Sequence, residues 1–210
     1  MNYYPAFLSL EGKKAVVIGG GKVAERKILA LIDTGADIIV VSPLLTRRLL
    51  KEKEKKSIRH ISRNYRKKDL INSFLVIAAT DSPTVNSKVA REAPALVNVV
   101  DVPAECNFIV PSVVKRAPLT IAISTGGASP AFAKTVREEL ERLYDSGFSE
   151  YLKFIGRIRS RAMTEIKDKK EREKLLKKIA SKEILDILRS KGLSEARKKA
   201  SQSLVKLLKS

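Results

Sequence analysis

Val16-Val17-Ile18-Gly19-Gly20-Gly21-Lys22-Val23-Ala24-Glu25-Arg26-Lys27 reads as the end of a strand, a glycine turn and the start of a helix. Gly19 and Gly21 take the first two positions of a G-x-G-x-x-G/A turn, and Ala24 takes the third, where a small residue lets helix and strand pack closely. Amides at such a helix start face a pyrophosphate, whose negative charge the helix dipole also favours. Glycine turns also serve as plain connectors, so the context has to decide. Lys13 to Ile18 supplies the apolar, β-branched run of a buried parallel strand. Ala24, Ile28, Leu31 and Ile32 recur at helical spacing, Gly35 is placed to stop the helix, and Ile38-Ile39-Val40-Val41 begins a second strand. The whole is a β-α-β unit.

The same rhythm continues downstream. The basic stretch Arg47 to Arg59 fits a short surface helix, and His60-Ile61-Ser62 a short strand. Phe74-Leu75-Val76-Ile77-Ala78-Ala79 is a buried strand ending at Thr80-Asp81, Ser82-Pro83 opens a helix, and Val97-Asn98-Val99-Val100 is a further strand ending at Asp101. Strands alternating with helices predict a Rossmann-like, doubly wound parallel sheet with ligands at the carboxyl ends of the strands. Past Asp101, Phe108-Ile109-Val110 and Leu119-Thr120-Ile121-Ala122-Ile123 are strand-like but separated by prolines, which suggests a second sheet or an antiparallel extension. Ser129-Pro130 caps a helix whose apolar stripe is Phe132, Val136, Leu140 and Leu143. From Glu150 onward the pattern is helical, with breaks near Lys167 to Lys170 and at Gly192. The fold class is therefore α/β, followed by a small α+β region and a C-terminal helical domain.

Composition narrows the functional classes. Of 210 residues, 42 are Lys or Arg and 23 Asp or Glu, a net charge of +19, and residues 151–210 alone carry +12. Such a balance favours polyanionic partners, although a solvated lysine-rich helical surface accounts for many of these charges. No apolar run approaches the roughly 20 residues needed to span a bilayer. The N-terminus lacks the regions of a secretory signal, so the expected location is cytoplasmic. One cysteine, Cys106, excludes an internal disulfide, and one histidine, His60, argues against a His-rich metal site. Cys106 has no neighbour that would activate it and reads as structural, and His60 reads as a surface or sheet-edge residue.

Asp101 directly follows a strand, where its carboxylate would point into a cofactor cleft as a general base or else cap a turn. Asp81, beside Ser82 and Pro83, fits a helix cap better. Ser124-Thr125-Gly126-Gly127-Ala128-Ser129-Pro130 is a second strand, glycine loop and helix start; it would hold an anion or merely connect. One element is missing: the acidic residue that NAD-binding units carry about 20 positions after the glycines, at the end of the second strand. That region reads Val40-Val41-Ser42-Pro43-Leu44. Ser42 would substitute, or Arg47 and Arg48 would meet a 2′-phosphate, so the pattern leaves NAD and NADP both open.

Six motifs occur in order: Pro5-Ala6-Phe7-Leu8 with Leu10, the Gly19 to Lys27 loop, Ala78-Ala79-Thr80-Asp81, Asn98-Val99-Val100-Asp101, Phe108-Ile109-Val110-Pro111-Ser112, and Ser124 to Pro130. Together they resemble the precorrin-2 dehydrogenase family, which includes the N-terminal module of siroheme synthase. The resemblance implies NAD-dependent oxidation of precorrin-2 to sirohydrochlorin, with ferrous iron insertion in some members. It also implies a homodimer with an NAD-binding domain over 1–112, a dimerisation region over 113–147 and a basic helical domain over 148–210. Asp101 matches the aspartate assigned to dehydrogenation. Lys22, Val23, Pro43 and Leu44 match positions that contact NAD, and Gly19, Gly21, Ser42 and Thr80 join them as cofactor-binding candidates. Thr125 falls where some members carry a phosphorylatable serine near the tetrapyrrole.

Precorrin-2 carries eight carboxylates, so basic walls suit it; Lys115, Arg116 and Arg137, with Ser124, Thr125 and Gly126, are the substrate-binding candidates. The competing reading is a nucleotide-sensing regulatory module whose basic tail docks on an acidic partner or nucleic acid. Tyr151 and Phe154 alone give that tail little stacking platform, which argues against nucleic acid.

Overall fold

The computed structural model describes residues 3–208. Five short aliphatic runs form five parallel strands: β1 (Lys14–Ile18), β2 (Asp37–Val41), β3 (Arg59–Ile61), β4 (Leu75–Ala78) and β5 (Leu96–Val99). Their spatial order is β3-β2-β1-β4-β5, with Val16 of β1 opposite both Ile39 and Val76. The chain therefore winds outward in both directions from β1, and the crevice beyond the carboxyl ends of β1 and β4 is the topological switch point.

Helices α1 (Lys22–Ile32) and α2 (Arg47–Glu54), and on the other side α3 (Pro83–Glu92), follow the pattern expected from the sequence. Strand alternation sends side chains to two cores. Ala15 and Val17 pack with Ala24, Ile28, Leu31 and Leu49, whereas Val16 and Ile18 pack with Leu70 and Val89. Each fully buried side chain of the size of Ile28 contributes about 1.5–3 kcal/mol, which is why these short strands hold without long ladders. Helix α2 ends sooner than the basic stretch does, because Lys56 turns left-handed (φ 61°) after the Lys55 C-cap.

The outer edge of β5 is closed by its own downstream chain. Asn107 Oδ1 accepts from Val97 N–H (2.7 Å), and the Asn107 N–H donates to Val97 O (3.1 Å). Cys106 Sγ accepts from Val99 N–H (3.1 Å). Thus the ladder groups of an edge strand, otherwise a template for aggregation, are satisfied.

The chain divides into two compact units at Val110 and Pro111. In the second, β6 (Ser112–Arg116) and β7 (Leu119–Ile123) form an antiparallel two-stranded sheet, followed by α4 (Pro130–Leu143), α5 (Ser146–Glu165), α6 (Lys169–Ile179) and α7 (Lys182–Leu208). Ser129 Oγ accepts from Phe132 N–H (3.1 Å), the cap that the Ser-Pro pair predicts. The next helix starts earlier than Glu150: Asp145 caps it, accepting from Gly147 N–H (2.9 Å), so Gly147 lies in its first turn. The expected breaks appear as the Asp168 cap of α6 and a kink at Gly192 (φ 81°). Phe148, Tyr151, Ile158, Leu175, Ile179, Ile184 and Leu188 form the helical core. Within it the Tyr151 hydroxyl donates to Ile179 O (2.7 Å), and burial pushes its phenol up to about 12. The α4 stripe behaves otherwise: Phe132 is 61 % and Leu143 44 % exposed.

Candidate functional site

At the switch point the three glycines have three different reasons to be glycine. A Cβ on Gly19, whose φ is 119°, would lie 2.2 Å from Ala79 O, and one on Gly20 would lie 2.1 Å from Leu44 O. A Cβ on Gly21 meets nothing within 4 Å. The first two glycines thus let the loops after β1, β2 and β4 close on one another, while the third leaves space in front of α1. Lys22 and Val23 open that helix and are exposed.

This space belongs to a cavity of about 690 Å³, lined by Gly19, Gly20 and Gly21, by Ser42 to Thr46 after β2, by Asn64 and Tyr65 after β3, and by Thr80 to Ser82, Val85 and Lys88 after β4. The cofactor-binding candidates Gly19, Gly21, Ser42, Pro43, Leu44 and Thr80 therefore converge on one cavity, whereas Lys22 and Val23 stand at the start of α1 outside its lining. Both flanking loops are braced from behind. Buried Asn86 Oδ1 accepts from the Thr80 N–H (3.1 Å) and hydroxyl (2.7 Å), while its Nδ2 donates to Thr80 O (3.0 Å). The Ser42 hydroxyl donates to Leu44 O (2.7 Å), His60 Nε2 donates to Ser42 O (2.8 Å), and the Ser62 hydroxyl to Pro43 O (3.2 Å). Ser42 thus shapes the loop with its side chain, and His60 supports it from the neighbouring strand.

Sequence reasoning missed Tyr65, Asn64, Thr46 and Lys88 as wall residues and Asn86 as the brace. Asn86 left a trace, an Asn within a helix whose propensity disfavours it. Tyr65 left none; its hydroxyl donates to Glu92 Oε2 (2.6 Å), and burial, then this bond, raises its pKa well above the usual phenol value. A cradle of two close-packed glycines, an open third at a helix N-terminus and a cavity of this size fit a dinucleotide. Gly21, the first turn of α1 and the Ser42–Leu44 and Thr80 loops would hold it.

Asp101 lies past the end of β5, outside the cavity lining, exposed and in the left-handed region (φ 62°). Its turn is gripped by Cys106, whose thiol accepts from Val99 N–H and lies 3.3 Å from Val99 O and 3.4 Å from Val102 O. Lys27 of α1 is near enough to feel both side chains; burial above all, then Arg26, lowers its pKa, and Cys106 and Asp101 oppose this.

In the second unit Ser124, Thr125 and Gly126 form the β7–α4 loop. The Thr125 hydroxyl accepts from Ser129 N–H (3.1 Å), and Ser124 Oγ from Gly126 N–H (3.1 Å). Gly126 and Gly127 are left-handed with open space around them. Lys115 is exposed on β6. Arg116 donates to Glu141 O (3.3 Å), and Arg137 is paired with Glu141 (2.6 Å) and Glu138 (3.4 Å).

A glycine-turn crevice at the switch point of a 3-2-1-4-5 parallel sheet defines a dinucleotide-binding protein of the Rossmann type. Residues 6–112 match the family described as "Putative NAD(P)-binding", and residues 116–143 match "Sirohaem biosynthesis protein central". The chain is 40 % identical over 164 residues to siroheme synthase of Nitrosococcus oceani (77 % of this chain, 35 % of that one). It is 35 % identical over 207 residues to siroheme synthase 3 of Aeromonas hydrophila (97 % and 44 %). The solved structure of "SirC, precorrin-2 dehydrogenase" superposes with a TM-score of 0.82 at 28 % identity, covering 95 % of this chain and 100 % of that one. This chain belongs to the precorrin-2 dehydrogenase and siroheme synthase N-terminal-module family. It spans less than half the length of the siroheme synthases it matches.

Among the described residues no helix is long and apolar enough to cross a membrane, and no three His, Cys, Asp or Glu side chains cluster to hold a metal ion.

Proposed function

We propose that this chain oxidises precorrin-2 to sirohydrochlorin with NAD in the cytoplasm, as a homodimer. The observation that carries this reading is the glycine-walled cavity at the switch point, with Asp101 at the end of the strand next to β4. In a doubly wound sheet one mononucleotide half lies over β1 and its neighbours and the other toward the far strands, so the end of β5 is where the reacting end belongs. Likeness to the SirC precorrin-2 dehydrogenase over nearly the whole chain supports the choice of substrate.

When bound, NAD supplies the hydride acceptor. The chain's own part is to position and to move a proton. Oxidation removes a hydride and a proton from the macrocycle; Asp101 is exposed and takes the proton. Lys115, Arg116 and Arg137, with the Ser124–Gly126 loop, meet the substrate's carboxylates. Exposed Phe132 and Leu143 on α4 are the apolar surface that a second copy would cover.

The test is an anaerobic assay of the purified chain with precorrin-2 and NAD, read by the absorption of sirohydrochlorin and by NADH formation. Stoichiometric appearance of both supports the reading. Tight NAD binding without turnover, together with salt-dependent binding to DNA or RNA, would replace it with the regulatory alternative.

A further inference from the structure

The unit lacks the acid that normally follows β2, and the structure shows what stands near its place. Ser42 is not a substitute through its side chain, since that hydroxyl is buried and bonded to Leu44 O (2.7 Å). Asp81 and Lys88, the charged residues of the cavity wall, come from the β4 side. On the β2 side the wall ends at Thr46, which is also the N-cap of α2. Its hydroxyl accepts from Leu49 N–H (3.2 Å) and gives its one proton to Glu25 Oε2, in the first turn of α1. Thr46 N–H, in turn, donates to Gly20 O (3.1 Å), so the glycine turn, the β2–α2 loop and Glu25 form one connected rim. Glu25 Oε1 has no partner among the described residues.

We infer that Glu25, one hydrogen bond behind the wall residue Thr46, supplies the negative charge of the missing acid and makes the site select NAD over NADP. This rests on the dinucleotide reading of the cavity. The adenosine ribose of a dinucleotide lies beyond the end of the second strand, which is where Thr46 stands. A carboxylate one hydrogen bond behind that wall disfavours a 2′-phosphate by like-charge repulsion, whereas a 2′-hydroxyl meets no such penalty. Glu25, Arg47 and Arg48 all lie outside the cavity lining, but Glu25 is tied to the wall residue Thr46 by a hydrogen bond, whereas Arg47 and Arg48, the sequence candidates for holding a 2′-phosphate, are exposed on α2.

The experiment measures dissociation constants of NAD and NADP by calorimetry on the full chain and on Glu25→Gln. Glutamine keeps an acceptor for the Thr46 hydroxyl and removes only the charge. The wild type is expected to bind NAD about tenfold or more tighter than NADP. In the variant that ratio narrows about five- to tenfold, mainly through stronger NADP binding, as expected for one charge acting across a partly solvated gap. The wild-type ratio also shrinks as ionic strength rises. Equal wild-type affinities, or a ratio unchanged within about twofold in Glu25→Gln, overturn the inference while leaving the dinucleotide site standing. Binding of neither dinucleotide overturns the site reading itself. Glu25→Ala separates charge from support: it should narrow the ratio as Gln does but also lower Tm, since Thr46 loses its partner.

Discussion

Asp101 holds a backbone conformation that costs a residue with a side chain about 1 kcal/mol, and the Cys106 thiol, bonded across Val99 and Val102, helps keep it there. Strain maintained on an exposed carboxylate separates function from stability, and a single substitution tests it. Asp101→Gly should fold with an equal or higher Tm, because glycine adopts φ near 62° freely, while kcat falls about 10²- to 10⁴-fold. A near-normal kcat would remove Asp101 from the proton step. A second residue-scale case is purely structural. Arg63 grips Asp69 with two bonds (2.8 and 2.5 Å), and Asp69, only 3 % exposed at its side chain, also accepts from Arg66 N–H (2.8 Å). The Arg63 bonds, foremost, hold that carboxyl below its usual range. A carboxyl depressed in the folded state adds stability above its unfolded value of about 4 and loses it as pH falls through the lower folded value. Arg63→Ala should therefore lower Tm at pH 7 by several degrees and by much less at a pH below that lowered folded value, where Asp69 is protonated in both proteins. An equal loss at both pH values would mean that Arg63 acts by packing alone.

Among the elements, the glycine turn was the most legible and the loops facing it the least. The β-branched runs and caps at Ser82 and Ser129 mark their own strands and helices, because local propensity and period decide them. What lines the cavity opposite Gly21 depends instead on which strands become neighbours. Thr46 and Tyr65 enter only because β2 lies beside β1 and β3 beside β2. The α4 stripe shows the reverse limit: its period correctly marks a helix, yet Phe132 is not covered by its own chain, since a period reports an apolar face and not its partner. The turn itself makes a sharp prediction. Gly20→Ala puts a methyl against Leu44 O and Ser42 Oγ and should cost several kcal/mol of stability, because backbone cannot move aside. Gly21→Ala has open space and should keep its Tm within a degree or two, yet weaken NAD binding about tenfold or more by occupying room meant for the pyrophosphate. Equal Tm losses in the two variants would contradict this division of labour.

For the whole molecule, the net charge of +19 acts on the two proposed ligands to different degrees. Several cations are already matched locally: Arg161 with Glu165, Lys153 with Glu150 and Lys174 with Glu171. Such exposed pairs contribute little to stability, but they cancel charge at short range, so attraction of a polyanion arises from the unmatched surplus. The surplus of +12 over residues 151–210 is a field and not a pocket, and it is felt across distances that salt screens within about 10 Å at 0.1 M. An octacarboxylate couples to such a field through all its charges, whereas a dinucleotide carries few and is fixed by backbone and shape at the glycine turn. Raising ionic strength from about 0.05 to about 0.5 M should therefore increase KM for the tetrapyrrole about tenfold, leave KM for NAD within about twofold, and change kcat little. Steady-state kinetics with each substrate varied in turn would read all three. A parallel rise of both KM values would point to a general loss of structure, and a flat tetrapyrrole KM would mean that the basic helices serve solubility and take no part in gathering substrate.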